Sequence, residues 1–319
     1  MNPSALLLHP LPPDWISSLD GKVRLLVKAE GDTEIQHKIF DIDGVLSLLT
    51  DRIDDEFLDR TPNLRVVSNM AAGVDNIDLQ ACTKRKIPVG NTPGAMTEAT
   101  ADLTFALLLA SARKLPESSR DALDGRWLSW SPTGWLGADL NGSTLGIVGL
   151  GKIGKAVARR AKGFGIKTIY WEPERKIEEE YELEVRYVPF EELVKTSDFI
   201  TLHCPLNDST RGLINEPVLR MMKPSAILVN ASRGPVVDTG SLVLALSENW
   251  ITSAALDVTD PEPLPPEHPL YTLPNCIILP HIGSATYGTR KRMAEMACEN
   301  LLAGLEGKPL PNCANPEVY

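Results

Sequence analysis

Three polar side chains of complementary chemistry follow apolar stretches in the second half of the chain. Arg233 follows ILVNAS, Glu262 lies in DVTDPEPLP, and His281 follows CIILP. If these stretches belong to one parallel sheet, their carboxyl ends share a crevice, which is where such sheets bind ligands. Each residue alone also has an ordinary explanation, as a residue at a helix start, a loop charge and a core histidine.

Together, the three types suit the addition of a hydride to a 2-oxo acid. The reaction leaves an alkoxide on the substrate, which a protonated imidazole such as that of His281 neutralises near neutral pH. A carboxylate on the other ring nitrogen, from Glu262, orients the ring and favours its protonated form. A guanidinium, from Arg233, holds the substrate carboxylate and polarises the carbonyl in fixed geometry. We therefore predict these residues as a catalytic set.

A glycine-rich turn predicts the source of the hydride. The stretch TLGIVGLGKIGKAVARR places Gly149, Gly151 and Gly154 between an apolar strand and a helix. The first glycine permits a tight turn, the second lets a pyrophosphate approach, and the third lets helix and strand pack closely. The helix N-terminus, with Lys152 and Ile153, favours the phosphate charge. We predict a dinucleotide site here.

The end of the next predicted strand bears on the choice of dinucleotide. Glu172 stands 18 residues after Gly154, where a carboxylate accepts ribose hydroxyls and repels the 2′-phosphate of NADP. Arg175 and Lys176 follow and could bind that phosphate if Glu172 turned away. The sequence predicts NAD and leaves NADP open.

Composition limits the other partners of the chain. The 319 residues carry a net charge of −10, which argues against nucleic acid and anionic membranes. Five cysteines without a CxxC motif indicate reduced thiols in a cytoplasmic protein, with no zinc motif and no disulfide framework. No basic region precedes the first apolar run, and LTFALLLASA is too short to span a membrane, so neither signal peptide nor membrane helix is expected.

The predicted elements alternate between strand and helix. The pieces GKVRLLVKAEGD, GVLSLLT, LRVVSN and IPVGN, with helices between them, indicate an α/β unit over residues 1–97. A long core helix follows in TEATADLTFALLLASARK, and LDGRWLSWSPTGWLGADLNGS is predicted to be an irregular connection. From residue 143, apolar strands alternate with helices, which indicates a parallel sheet covered on both faces. A final helix begins near residue 288.

Seven stretches carry a family resemblance over nearly the whole chain. The chain resembles the D-isomer-specific 2-hydroxyacid dehydrogenases, and its stretch from LDVTDPEPLP to LPHIGSAT is most similar to the glyoxylate/hydroxypyruvate reductases. The resemblance implies two Rossmann-like domains with the active site in the cleft: a flavodoxin-like substrate domain at 1–97 and 288–319, and a doubly wound NAD(P)-binding domain at 98–287. The seven stretches are VVSNMAAGVDNIDL, NTPGAMTEATADLTFALLLASAR, GIVGLGKIGKAVARRAKGFG, SDFITLHCPL, LVNASRGPVVD, AALDVTDPEPLP and LPHIGSAT.

The resemblance also implies an activity and roles for single residues. The implied reaction is NAD(P)H-dependent reduction of glyoxylate to glycolate or of hydroxypyruvate to D-glycerate, with His281 as proton donor. The implied substrate contacts, besides Arg233 and His281, are the backbone amides of Ala72 and Gly73, with Leu49, Ser284 and Trp135. The implied cofactor contacts beyond the glycine turn and Glu172 are Thr100, Cys204, Pro205, Thr210, Ser232, Arg233, Asp257, His281 and Gly283.

The residues leave several alternatives open for the substrate pocket, the cofactor and the activity. Without the family, AAGVDN indicates a simple strand-to-helix turn, and Trp135 is as readily a packed loop residue as one that reaches the partner's active site in a homodimer. Family members that prefer NADPH have a small residue where this chain has Glu172.

The alternatives to the reductase are an enzyme for another small 2-oxo acid, an NAD(H)-sensing corepressor-like protein, and enzymes similar to formate or phosphite dehydrogenases. The acidic Glu262 argues against a formate dehydrogenase, which has an amide there.

Overall fold

The computed structural model describes residues 2–28 and 41–319. They form two compact units, one of Met1–Met96 with Ala285–Tyr319 and one of Thr97–Ser284. The last four residues of the predicted strand GKVRLLVKAEGD, 29–32, lie outside the described residues. None of the described helices is both long and apolar enough to cross a membrane.

The described strands of the first unit form a five-stranded parallel sheet in the order β2-β1-β3-β4-β5. Alternate residues of the strands enter different cores, because successive side chains point to opposite faces. Leu7 and Val66 pack on one face with the last helix of the chain, whereas Leu6 and Val67 pack on the other. The strands are β1 Ser4–Leu7, β2 Arg24–Val27, β3 Gly44–Ser47, β4 Val66–Asn69 and β5 Val89–Gly90, and the helices are α1 Pro13–Ile16, α2 Asp55–Asp59, α3 Leu79–Lys84 and α11 Tyr287–Leu305.

The second unit, described throughout, contains a seven-stranded parallel sheet in the order β12-β11-β10-β9-β6-β7-β8. Chain order reverses at β6, which lies between β7 and β9, so the topology creates a crevice at the carboxyl ends of these strands. The strands are β6 Thr144–Val148, β7 Lys167–Trp171, β8 Arg186–Tyr187, β9 Phe199–Leu202, β10 Ile227–Asn230, β11 Ser253–Leu256 and β12 Cys276–Ile278. The helices are α4 Thr97–Ala112, α5 Leu115–Leu123, α6 Lys152–Gly163, α7 Ile177–Leu183, α8 Phe190–Thr196, α9 Glu216–Met221 and α10 Thr239–Ser247.

Both faces of this second sheet are buried. Ile147 and Val229 pack in the core that includes residues of α4 and α6, whereas Val148 and Leu228 pack in the core that includes residues of α8, α9 and α10. The predicted α/β class with a doubly wound parallel sheet is therefore confirmed. Five elements were not predicted from the sequence: β1, α1, α5, α7 and β8.

Candidate active site

His281 lies on a loop that one buried carboxylate holds in place. Its φ of +54° is in the left-handed region, which costs free energy for a residue with a side chain. The His281 amide donates to the Asp257 carbonyl at 2.9 Å, and the next two amides donate to the two Asp257 carboxylate oxygens at 2.7 and 2.8 Å. Burial raises the pKa of Asp257, although the two amides oppose the shift. Asp257 therefore fixes the backbone that carries the imidazole.

Glu262 holds the imidazole itself. Its Oε1 lies 2.6 Å from Nδ1 of His281, and its Oε2 accepts a hydrogen bond from the Thr259 amide at 3.3 Å. Burial alone would raise the pKa of Glu262, but the hydrogen bond and charge of His281, the Thr259 amide and the charge of Arg233 together lower it. The carboxylate is therefore ionised at neutral pH and engages Nδ1, which leaves Nε2 as the ring atom available to a substrate.

Arg233 directly precedes a short 3₁₀ helix, Gly234–Val236, and its backbone is held by neighbouring residues. Asn230, at the end of β10, donates from Nδ2 to the Arg233 carbonyl at 2.9 Å and accepts from the Ser232 amide and hydroxyl. A Cβ on Gly234 would lie 1.8 Å from the Thr259 carbonyl oxygen, so only glycine lets these two loops meet. That close approach brings Arg233 near the loop with Glu262, and the Arg233 charge helps to lower the pKa of that carboxyl.

The glycine turn has the shape that a dinucleotide requires. Gly149 has a φ of +96°, and a Cβ there would lie 2.7 Å from the amide nitrogen of Cys204. A Cβ on Gly154 would lie 2.2 Å from the carbonyl oxygen of Gly149, so helix α6 packs directly on the turn. A Cβ on Gly151 would meet no atom within 4 Å, which leaves its backbone open to a pyrophosphate at the start of α6. These three environments fit a dinucleotide phosphate.

Glu172 and Lys176 form a fixed pair beside the turn. Glu172 accepts from the Leu150 amide at 3.1 Å and pairs with the Lys176 ammonium at 2.9 Å. The same ammonium donates to the Leu150 carbonyl at 3.1 Å. Arg175 instead contacts Glu180 through two bonds of 2.7 and 2.9 Å. The two cations that could bind a 2′-phosphate are thus both paired with carboxylates.

Most of the other predicted cofactor residues follow the carboxyl ends of β9 to β12, whereas Thr100 lies on α4 and Lys152 and Ile153 lie at the start of α6. Thr100, on α4, donates to the Gly283 carbonyl at 3.2 Å, and Thr210 donates to the Pro205 carbonyl at 2.6 Å. Burial raises the pKa of the Cys204 thiol to about 11, so the thiol is protonated at neutral pH and is a poor nucleophile. Ser232 contacts Asn230, Lys152 is exposed at the start of α6, and Ile153 and Ser284 are half-buried.

Several contributors were missed by the sequence analysis. Asn230 and Gly234 position Arg233, although neither is a residue type that suggests catalysis. Both ring nitrogens of His203, next to Cys204, are buried, and this burial lowers the pKa of its imidazole to about 3. His203 is therefore neutral at physiological pH, and His281 is the histidine in this region that contacts a carboxylate.

The first unit carries the predicted carboxylate pocket on the loop after β4. Three successive carbonyls of this loop are bound: that of Ala71 by the Thr92 amide, that of Ala72 by the Asn91 side chain and that of Gly73 by the Asn69 side chain. Within residues 2–28 and 41–319, neither the Ala72 amide nor the Gly73 amide donates a hydrogen bond. Two such adjacent amides with anchored carbonyls can bind an anion. Leu49 lies on the neighbouring loop, after β3.

Trp135 lies in the irregular connection between α5 and β6. Its φ is +55° and its side chain is half exposed. Around it, several large apolar side chains are strongly exposed, which is unusual for a single stretch of a folded protein. They are Leu123, Trp127, Leu128, Trp130 and Leu136.

Known proteins resemble the chain over its length. Residues 105–283 match the family described as D-isomer specific 2-hydroxyacid dehydrogenase, NAD binding domain. The whole chain is 48% identical to a glyoxylate reductase of Korarchaeum cryptofilum and covers 97% of it. The solved structure of the TT0316 protein from Thermus thermophilus has a TM-score of 0.91 and 46% identity, with 98% of this chain and 99% of that chain covered. An NADPH-dependent glyoxylate/hydroxypyruvate reductase from Sinorhizobium meliloti has a TM-score of 0.89 and 30% identity over 99% and 98% of the two chains.

Proposed function

Because the chain belongs to the D-isomer-specific 2-hydroxyacid dehydrogenase family, we propose that it reduces glyoxylate and hydroxypyruvate to glycolate and D-glycerate. Membership makes it an oxidoreductase with a nicotinamide dinucleotide as cofactor. The observation that carries the proposal is the 2.6 Å contact of His281 with Glu262 in a chain that aligns end to end with glyoxylate reductases.

The proposed roles follow from the geometry of the second unit. A bound nicotinamide supplies the hydride. His281 donates a proton from Nε2 to the developing alkoxide oxygen, because Glu262 occupies Nδ1. Glu262 also stabilises the positive ring before the proton leaves. Arg233 binds the substrate carboxylate and polarises the carbonyl.

The first unit is proposed to supply further donors to the substrate. The amides of Ala72 and Gly73 bind the carboxylate, since their carbonyls are held by Asn91 and Asn69 and the amides are left for a ligand. Leu49 lines the side group at C3. The small side chains of Ala71 and Ala72 agree with a small acid.

The test is initial-rate reduction of glyoxylate and hydroxypyruvate, each with NADH and with NADPH. We expect turnover of both acids, with kcat/KM in the range about 10⁴ to 10⁶ M⁻¹s⁻¹ that is ordinary for enzymes. No turnover in any of the four combinations, together with tight binding of NADH, would instead favour a nucleotide-sensing protein. Turnover of only a larger 2-oxo acid would support the proposed reaction and correct the proposed substrate.

The contact of Glu262 with His281 predicts a change in the pH profile. Although burial raises it, the pKa of Glu262 lies below its ordinary value because of His281, the Thr259 amide and Arg233, so the carboxylate is protonated only in acid. Glu262→Gln keeps the shape and removes the titrating group, so the acid limb that Glu262 gives to the kcat/KM profile for reduction is expected to disappear. Asp260→Asn, a neighbouring loop carboxylate, is the control and should leave the limb in place. An acid limb that remains in Glu262→Gln removes Glu262 from the acid–base pair.

We also propose a homodimer. The exposed apolar side chains between Leu123 and Leu136 form a surface that a second copy would cover, and Trp135 lies within it. Light scattering of the purified full chain measures this directly. A monomer at micromolar concentration would contradict the proposal and return Trp135 to an ordinary loop residue.

A further inference from the structure

We infer that Asn76 is a positioning residue that sets the selectivity of the enzyme among small 2-oxo acids. The inference rests on the proposed function, because it concerns the loops proposed to bind the substrate. These are the β3 loop, residues 48–51, which carries Leu49, and the β4 loop, residues 70–76, which carries the Ala72 and Gly73 amides.

Asn76 joins the two loops with its side chain. Its Nδ2 donates to the Leu48 carbonyl at 3.0 Å and to the Asp51 carbonyl at 2.7 Å, so both hydrogens bind the β3 loop. Its Oδ1 accepts from Nδ2 of Asn69 at 3.1 Å. Every polar atom of the amide is therefore used, and the β3 loop is attached to the β4 loop through one side chain.

Asn69 extends this link to the proposed carboxylate pocket. It is fully buried at the end of β4, and its Nδ2 also donates to the Gly73 carbonyl at 3.1 Å. Its Oδ1 accepts from the Ser47 hydroxyl at the end of β3, at 3.1 Å. The chain of hydrogen bonds thus runs from the β3 loop through Asn76 and Asn69 to the carbonyl of Gly73, the residue whose amide is proposed to bind the carboxylate.

The β3 loop is also closed on itself. The Asp51 carboxylate accepts from the Leu48 amide at 2.7 Å and lies 2.9 Å from Nε2 of His9 at the end of β1. Leu49 therefore lies between Leu48 and Asp51, which are bonded to each other and whose carbonyls both accept from Asn76. These bonds hold the backbone on both sides of Leu49 to the loop with the proposed carboxylate donors, and in the proposal this spacing discriminates between a two-carbon and a three-carbon acid.

The experiment is steady-state kinetics of Asn76→Asp with glyoxylate and hydroxypyruvate. The carboxylate has no hydrogen to donate and repels the Leu48 and Asp51 carbonyls, so the β3 loop should separate from the β4 loop. We expect the KM for glyoxylate to rise about tenfold or more, because two hydrogen bonds are lost, with kcat within about threefold. The ratio of the kcat/KM values for the two acids should shift by about fivefold or more. The Kd for NADH, measured by cofactor fluorescence, should not change.

Two further variants separate positioning from folding. Asn2→Asp is the matched control: Asn2 donates to the Gly21 carbonyl in the same unit, at 2.8 Å, and its loss should change no constant. Asp51→Ala removes the contacts of that carboxylate with the Leu48 amide and with His9, leaves Asn76 intact, and should raise KM and shift the ratio in the same direction. It decides the question if Asn76→Asp does not fold. A fall in Tm with an unchanged KM and an unchanged ratio in both variants would overturn the inference.

Failure of the proposed function gives a different result. Binding of oxamate to the NADH complex reports on the pocket without turnover. If the wild type reduces neither acid but binds oxamate, and Asn76→Asp weakens that binding about tenfold, the inference stands with another substrate. If the wild type neither reduces these acids nor binds oxamate, both proposals are overturned.

Discussion

His281→Ala is expected to lower kcat for glyoxylate reduction by about two to four orders of magnitude, the usual loss when a positioned general acid is removed. The physical reason is the position of Nε2, the ring nitrogen left for the substrate once Glu262 engages Nδ1 at 2.6 Å. The Kd for NADH should change little, because the loop stays attached to Asp257 through backbone amides that the substitution retains. Stopped-flow single turnovers and cofactor fluorescence measure the two quantities separately.

His268→Ala is the matched control for this prediction. His268 lies 13 positions upstream, and its Nδ1 accepts from the Leu270 amide at 3.3 Å, a cap of a short helical turn. Its replacement should leave kcat within a few-fold. If His281→Ala also keeps its activity within a few-fold, the proton-donor role is wrong and His281 is a structural histidine.

The sequence predicted the residues whose chemistry is visible in their type. Arg233, Glu262 and His281 were identified because parallel strands place their carboxyl ends together, and the structure brings Glu262 and His281 into contact. The role of Asp257 in fixing the His281 loop could not be predicted from the sequence. The groups that its carboxylate binds are backbone amides 25 and 26 residues away. Such contacts have no signature in local sequence.

The strands and helices that were not predicted from the sequence also depend on contacts distant along the chain or lack a clear apolar pattern. Strand β1, SALL, is only four residues long and lies between an N-terminal segment and a proline-rich one, so it has no periodicity to detect. It becomes a strand because β2 and β3 pair with it on either side. Helix α5, LPESSRDAL, has no buried residue and has proline at its second position, so it lacks the buried apolar face that indicates a core helix.

The choice between NAD and NADP also depends on contacts that the sequence does not show. The sequence could place Glu172, Arg175 and Lys176 near the ribose, but it could not say which charge faces the ligand. The structure pairs each cation with a carboxylate, so no net positive site is formed by the two side chains. The carboxylate that each cation contacts depends on side-chain rotamers and on hydrogen bonds to the Leu150 backbone. The spacing of residues in the sequence predicts neither.

We therefore propose NADH as the preferred cofactor and expect Glu172→Gln to weaken that preference by about one to three orders of magnitude in the ratio of kcat/KM values for NADH and NADPH. A carboxylate about 4 Å from a phosphate charge costs about 4 kcal/mol at an effective dielectric constant of 20, which screening by salt reduces. The amide keeps the size of the side chain and an acceptor for the Leu150 amide, so NADH binding should fall only moderately. Lys176, released from its ion pair, becomes available to a 2′-phosphate.

Lys176→Gln distinguishes charge repulsion from positioning. If Lys176 only holds Glu172 in place through its bonds to the carboxylate and the Leu150 carbonyl, its loss should raise the KM for NADH severalfold and give no gain with NADPH. Arg175→Gln breaks the pair with Glu180, away from Glu172, and should leave the NADH constants close to wild type. A wild-type enzyme that already uses NADPH as well as NADH would contradict the assignment, because it would require Glu172 to leave the position in which the Leu150 amide and Lys176 both hold it.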